Sequence, residues 1–210
     1  MSSPDISAPA RAVLFDLGGV LVDWNPRHLY RRLFADEREM EEFLASVCTQ
    51  AWNEEQDLGR PFAEGVQLLI ERHPHWAKEI RAYDERWDEM LKGPIPDSVV
   101  LLGELRERGV SLFALTNWSA EKFPVSRSRF AFFEWFEGVI VSGEERLKKP
   151  DPQIFRLAAR RFGLDPAVTL FVDDSAPNIA AAAQLGFRTH RFADAPVLRN
   201  ALVEHGLLAA

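Results

Sequence analysis

Six polar residues stand where short apolar runs end: Asp16 after "AVLF", Thr116 and Asn117 after "LFAL", Asp173 and Asp174 after "TLFV", and Lys149 a short loop beyond "GVIV". An aspartate at a strand end has a plain structural use as a turn or cap residue. It has a chemical use as well, because open parallel sheets build their active sites at the carboxyl ends of strands. Glycines such as Gly18 and Gly19 let a ligand approach the backbone there. If the runs are parallel strands, three carboxylates, a hydroxyl and an ammonium share one crevice. Two like charges about 4 Å apart repel by roughly 4 kcal/mol at an effective dielectric near 20, and Lys149 compensates only one of the three. A divalent cation resolves the excess. Oxygen-only ligands suit Mg²⁺, which keeps waters and usually shares its site with a substrate phosphate.

The elements that must position these residues are legible in the same runs. Five segments rich in strand formers end at turn or polar residues: "AVLFDLGG", "VSLFALTNWS", "GVIVSGE", "VTLFVDDS" and "FRTHRF". Helices separate the later ones. Asp97 is read as the cap of "SVVLLGELRER" before Gly109, and Asp151 with Pro152 opens "QIFRLAARRF" before Gly163. A third helix, "PNIAAAAQL", stops at Gly186, and its alanine run allows close packing on the sheet. Alternating strand and helix predicts an α/β fold, a Rossmann-like three-layer core whose parallel sheet is covered on both faces.

One segment breaks the alternation. From about Trp24 to Lys92 no strand is predicted, only helical periodicity: Tyr30, Leu33, Phe34; Met40, Phe43, Leu44, Val47; Phe62, Val66, Leu69; Ile80, Trp87, Leu91. Such a stretch is too long for a crossover and suits a small helical bundle with its own core. The expected organisation is a core of residues 1–22 and 93–210 with a helical cap subdomain, 23–92, inserted after the first strand.

Composition narrows the partners. The 210 residues are 47% hydrophobic, enough to bury a sizeable core, and carry a net charge of −7. An acidic chain argues against nucleic acid, whose binding depends on basic surface, and leaves small molecules or proteins. Cys48, the single cysteine, has no disulfide partner and reads as a packed thiol in a helical pattern. The start, "MSSPDISAPA", lacks the apolar core of a signal peptide, and no apolar run approaches a membrane span. The expected location is cytoplasmic.

In order along the chain, these motifs resemble the haloacid dehalogenase-like hydrolase superfamily. "LFDLGGVL" resembles its first motif, "LFALTN" its second, "KKPDPQIF" its third and "LFVDDSAPNI" its fourth. The insert resembles the helical cap that one branch places after the first strand, and the sugar-1-phosphate phosphatase-like branch is the nearest. The resemblance implies a phosphatase in which Asp16 attacks phosphorus to form an aspartyl-phosphate. It implies Mg²⁺ held by Asp16, the Gly18 carbonyl and Asp174, with Asp173 alongside. Thr116 and Asn117 would bind phosphoryl oxygens, and Lys149 would hold Asp16 and the transferring group. The cap would close over a small phosphorylated metabolite, such as a sugar phosphate.

One position departs from that pattern. Most members carry a second aspartate two residues after the nucleophile as general acid and base, and here that place is Gly18. Such proton transfer is typically worth about 10²–10⁴-fold. Asp23, in the loop leaving the strand, is the nearest alternative carboxylate. Two rival readings follow: a metal-free 2-haloacid dehalogenase in which Asp16 attacks carbon, and a weakly active or non-catalytic domain binding a phosphorylated ligand or a protein. Asp173 and Asp174 count against the dehalogenase, because they would repel a carboxylate substrate. Trp24 and Trp118, each just past a motif, are placed to face the crevice, and Arg60 and Arg72 could grip an anion from the cap. His73 and His75 in "RHPHW" read as a solvated turn.

Overall fold

The computed structural model describes residues 9–209, so the expectation for the first eight residues lies outside the described part. Seven strands follow in chain order: β1 Ala12–Phe15, β2 Val22–Trp24, β3 Leu91–Pro94, β4 Ser111–Thr116, β5 Gly138–Val141, β6 Thr169–Asp173 and β7 Arg188–Arg191. Five of them form one parallel sheet in the order β5-β4-β1-β6-β7. These are the five runs expected to be strands. The central strand, β1, sets Phe15 opposite Ala114 on one side and Val172 on the other.

Both faces of the sheet are buried, which is why its strands read as continuous apolar runs rather than alternating ones. Val13 and Phe15 pack with Leu102 and Leu105 of the helix Pro96–Glu107 and with Leu198 and Leu202 of Ala195–Glu204. Leu14 points the other way, into Ile154 and Phe155 of Pro152–Phe162 and Ala182 of Ala176–Gln184. Each fully buried Val, Leu, Ile or Phe among them contributes about 1.5–3 kcal/mol.

The helix ends show where local chemistry was legible. Asp151 caps its helix by accepting from the Gln153 N–H at 2.8 Å, and Gly163 closes it with a left-handed φ of 64°. Asp97 does not cap. That helix starts at Pro96, with Ile95 in the capping position and Asp97 in its first turn. Proline at the first helical position sets φ in advance and sacrifices no intrahelical donor.

Between β2 and β3 the chain forms five helices, Arg27–Tyr30, Glu37–Ser46, Gln50–Asp57, Phe62–Arg72 and Ala77–Glu85. The expectation of no strand from Trp24 to Lys92 fails at both ends, where β2 and β3 pair antiparallel through Asp23 and Gly93. Strands of three and four residues are too short to show a period, and the spacing of Leu91 also fits a helical pattern. Trp87 likewise lies in a 3₁₀ turn. Aromatic contacts hold the insert together: ring centroids are 5.1 Å apart for Tyr30 and Phe43, 5.5 Å for Phe34 and Trp76, and 4.9 Å for Trp52 and Tyr83. This cluster is continuous with the apolar face of the sheet that carries Phe15. Cys48 is buried in the bend between two of the helices, and burial pushes its thiol up to about 12. Among the described residues no helix is long and apolar enough to cross a membrane.

Candidate active site

β1 runs out of apolar residues at Asp16, whose main-chain N–H still donates to Val172 of β6 at 2.8 Å. The backbone is therefore fixed while the side chain leaves the sheet edge. Asp16 Oδ1 accepts from the Leu17 N–H at 2.7 Å and lies 3.0 Å from Lys149 Nζ. The same ammonium donates to Asp173 Oδ2 at 2.7 Å, so one buried cation bridges two buried carboxylates. Burial pushes the Asp16 carboxyl up, Lys149 opposes this, and Asp173 adds to it. Burial disfavours the Lys149 charge, but Asp16 and Asp173 outweigh it and hold the ammonium protonated.

Asp173 is saturated from every side. Its Oδ1 accepts from the Ser175 N–H at 2.8 Å, and the Asn178 amide reaches both oxygens, at 3.1 and 3.0 Å. Asp174, in contrast, is exposed and lines the cavity. Burial and the neighbouring Asp173 charge push its carboxyl up, against a smaller pull from Lys149. One ligand atom from each of Asp16, Asp173 and Asp174 can be chosen so that all lie within 4.8 Å of one another. Three carboxylates against one ammonium leave an excess that an oxygen-preferring divalent cation fits.

The two glycines after Asp16 differ. Gly19 adopts φ +74°, and a Cβ there would lie 2.6 Å from Asp174 Oδ2. Gly18 has no atom within 4 Å of where its Cβ would be, so space is left open two residues after Asp16.

A cavity of about 320 Å³ opens in front of this cluster. The core supplies Asp16, Gly18, Gly19, Asn117, Trp118 and Asp174, and the facing wall supplies Trp24, Gln50, Asn53, Glu54, Asp57 and Trp87. The two walls are bolted together. Lys148 Nζ donates to Glu54 Oε2 at 2.7 Å, Lys122 pairs with Asp84, and the Ser142 hydroxyl donates to the Asp57 carbonyl.

The model of the haloacid dehalogenase-like hydrolase family matches residues 10–186. The chain belongs to this family. The hydrolase is 26% identical over 182 residues to a sesquiterpene phosphatase of Aspergillus oryzae, covering 84% of this chain and 86% of that one. It is 28% identical over 190 residues to a glyceraldehyde 3-phosphate phosphatase of Pyrococcus abyssi, covering 85% and 79%. A haloacid dehalogenase family enzyme from Bacteroides thetaiotaomicron, solved as a magnesium complex, shares the fold at a TM-score of 0.68 and 23% identity, over 87% of this chain and 92% of that one.

In this hydrolase the residues expected at the site are not all equivalent. Asp16, Gly18, Asp174, Asn117, Trp24 and Trp118 line the cavity. Lys149 and Asp173 sit behind Asp16, and Thr116 is buried at the end of β4. The Asn117 side chain is spent on the main chain of Lys149. Asp23, the alternative carboxylate, lies on β2 rather than in a loop, is not among the residues lining the cavity, and pairs at 2.9 Å with Nε2 of His28 in the first helix of the insert. Arg60 bonds to Gln56 at 2.6 Å, and neither it nor Arg72 lines the cavity. His73 and His75 belong to no metal-binding group among the described residues.

Sequence reasoning missed the whole Gln50–Asp57 face and Trp87 as a cavity residue. The helix Gln50–Asp57 buries Asn53, Gln56 and Asp57, so it has no apolar stripe to betray it. A signal was present nonetheless, since the empty place at Gly18 directs the search to carboxylates elsewhere in the insert.

Proposed function

We propose that this hydrolase is a Mg²⁺-dependent phosphatase acting on a small phosphate monoester through an aspartyl-phosphate on Asp16. The observation that carries the reading is the 3.0 Å contact of Asp16 with the buried Lys149, beside carboxylates close enough to share a cation. The similarity, over most of both chains, to a sesquiterpene phosphatase and a glyceraldehyde 3-phosphate phosphatase supports it. Asp16, the Gly18 carbonyl and Asp174 would hold Mg²⁺, with Asp173 orienting Lys149. When bound, the ion supplies electrostatic stabilisation of the phosphoryl oxygens.

The protein groups do the rest. An Asp16 oxygen attacks phosphorus while the bond to the ester oxygen breaks, and a water later attacks the same phosphorus and frees Asp16. Lys149 keeps Asp16 oriented and offsets the charge that builds on the transferring group. The Trp24, Trp87 and Trp118 side chains line the space left for the leaving group, which suits a compact sugar phosphate or another small organic phosphate. The charge of the site disfavours the 2-haloacid reading, since Asp173 and Asp174 would repel a substrate carboxylate. The test is phosphate release from 4-nitrophenyl phosphate and a panel of phosphorylated metabolites with Mg²⁺. Activity that disappears with chelator and in Asp16→Asn supports the reading; chloride release from 2-chloropropionate in chelator defeats it.

A further inference from the structure

The proposed phosphatase chemistry has a nucleophile and a cation site, yet Gly18 leaves it without the carboxylate that would protonate the leaving oxygen. Resting on that reading, we propose that Asp57, carried by the inserted helix Gln50–Asp57, is the general acid and base of the reaction. It lines the same cavity as Asp16 and Asp174, from the inserted helix rather than from the sheet edge. The leaving oxygen departs on the side of phosphorus away from the attacking Asp16 oxygen, so its proton donor has to come from a part of the cavity lining other than the end of β1, and the inserted helix supplies such a carboxyl.

Asp57 is built to be held and to exchange a proton. It is 9% exposed, and its Oδ2 accepts from the Asn53 amide at 2.9 Å. It forms no ion pair among the described residues, although Lys148 is nearby, because that ammonium is engaged by Glu54 at 2.7 Å. Its main-chain carbonyl accepts from Ser142, whose oxygen in turn accepts from the Trp118 N–H at 2.9 Å, so the helix end is registered against the core. The groups facing it are Glu54, Lys148, Ser119, Asp16 and Tyr83. Burial first, then Glu54, push the carboxyl up to about 7, against smaller pulls from Lys148 and the Ser119 N–H. A carboxyl in that range is suited to both directions of transfer at neutral pH.

The steps balance. Asp16 forms its bond to phosphorus, the phosphorus–ester oxygen bond breaks, and the leaving oxygen takes the Asp57 proton. The Asp57 carboxylate then takes a proton from water as that water's oxygen attacks phosphorus and the bond between phosphorus and the Asp16 oxygen breaks. Inorganic phosphate leaves, and Asp16 and protonated Asp57 are regenerated.

The experiment is kcat/KM with Mg²⁺ for substituted phenyl phosphates of graded leaving-group acidity and for an alkyl phosphate, comparing wild type with Asp57→Asn. The variant is expected to lose about 10²–10⁴-fold on the alkyl phosphate and far less on 4-nitrophenyl phosphate, because a good leaving group needs no proton. Gly18→Asp in the Asp57→Asn background restores a carboxylate beside the nucleophile, in space the structure leaves open, and is expected to flatten the dependence again. Equal loss across the series, or no loss, with native thermal unfolding overturns the role of Asp57 and leaves the phosphatase reading standing. Wild-type protein inert towards the whole series overturns both.

Discussion

The side-chain amide of Asn117 grips the main chain of Lys149 from both sides, Nδ2 donating to the Lys149 carbonyl and Oδ1 accepting from its N–H, each at 2.9 Å. The pair fixes the loop that delivers the ammonium to Asp16. Asn117→Asp keeps the acceptor and loses the donor, leaving two oxygens facing each other. Net hydrogen bonds of this kind contribute about 0.5–1.5 kcal/mol each. The expected outcome is a fall in kcat of about tenfold or more with a smaller change in KM, measured on 4-nitrophenyl phosphate.

Lys149 and Asp173 are fully buried, and removing one member of a buried pair leaves an uncompensated charge costing about 3–5 kcal/mol. Lys149→Met is therefore expected to lose stability on that scale in urea unfolding. It should also lose about 10²-fold or more in kcat, as removal of a transition-state donor does.

Gly19 and Gly18 should respond differently to one added methyl group. Gly19→Ala places a Cβ 2.6 Å from Asp174 Oδ2 at a φ of +74°, so it combines strain of about 1–2 kcal/mol with displacement of a carboxylate. Gly18→Ala meets no atom within 4 Å. Mg²⁺ titrations of activity should show the larger loss of apparent affinity in Gly19→Ala; equal losses would sink the assignment of Asp174 as a ligand.

Stability against pH reports on Asp57. Its carboxyl is raised from 3.8 to about 7, so the folded chain holds a proton that the unfolded chain has released. Its contribution is full below pH 4 and is lost as pH rises through 7. Asp57→Asn removes this slope. The variant is expected to be more stable than wild type at pH 8, by at most about 4 kcal/mol, with the advantage shrinking as the pH is lowered. Chemical unfolding at several pH values measures it.

A cation that binds only the folded chain stabilises it by mass action, about 2.7 kcal/mol at a hundredfold excess over Kd. Added Mg²⁺ should raise the Tm of wild type, chelator should reverse it, and Asp174→Asn should abolish the shift.

The sheet was legible because burial on both faces leaves apolar runs, and its edge was legible because each run ends on a polar residue. Asp16, Asp173 and Asp174 could thus be gathered without coordinates. Short pieces were not: β2 and β3 carry too few residues for a period, and Pro96 took the helix start from Asp97. The helix Gln50–Asp57 escaped for a deeper reason. Hydrophobic patterning finds faces that pack against core, whereas this face is buried against a cavity and made of amides and acids. Its meaning depends on what lies across the gap, which no local pattern encodes.

Ser142 joins three distant parts of the chain through one oxygen, receiving from Trp118 after β4 and donating to Asp57 on the insert. Its consequence is one of timing. If Asp16 is the nucleophile and Asp57 the proton donor, as proposed, the two halves of the chemistry sit on separate parts of the chain, and this hydroxyl is one of the contacts that keep them together. A molecule in which those parts separated would carry an attacking group without its proton source, and a poor leaving group would wait for the next closure.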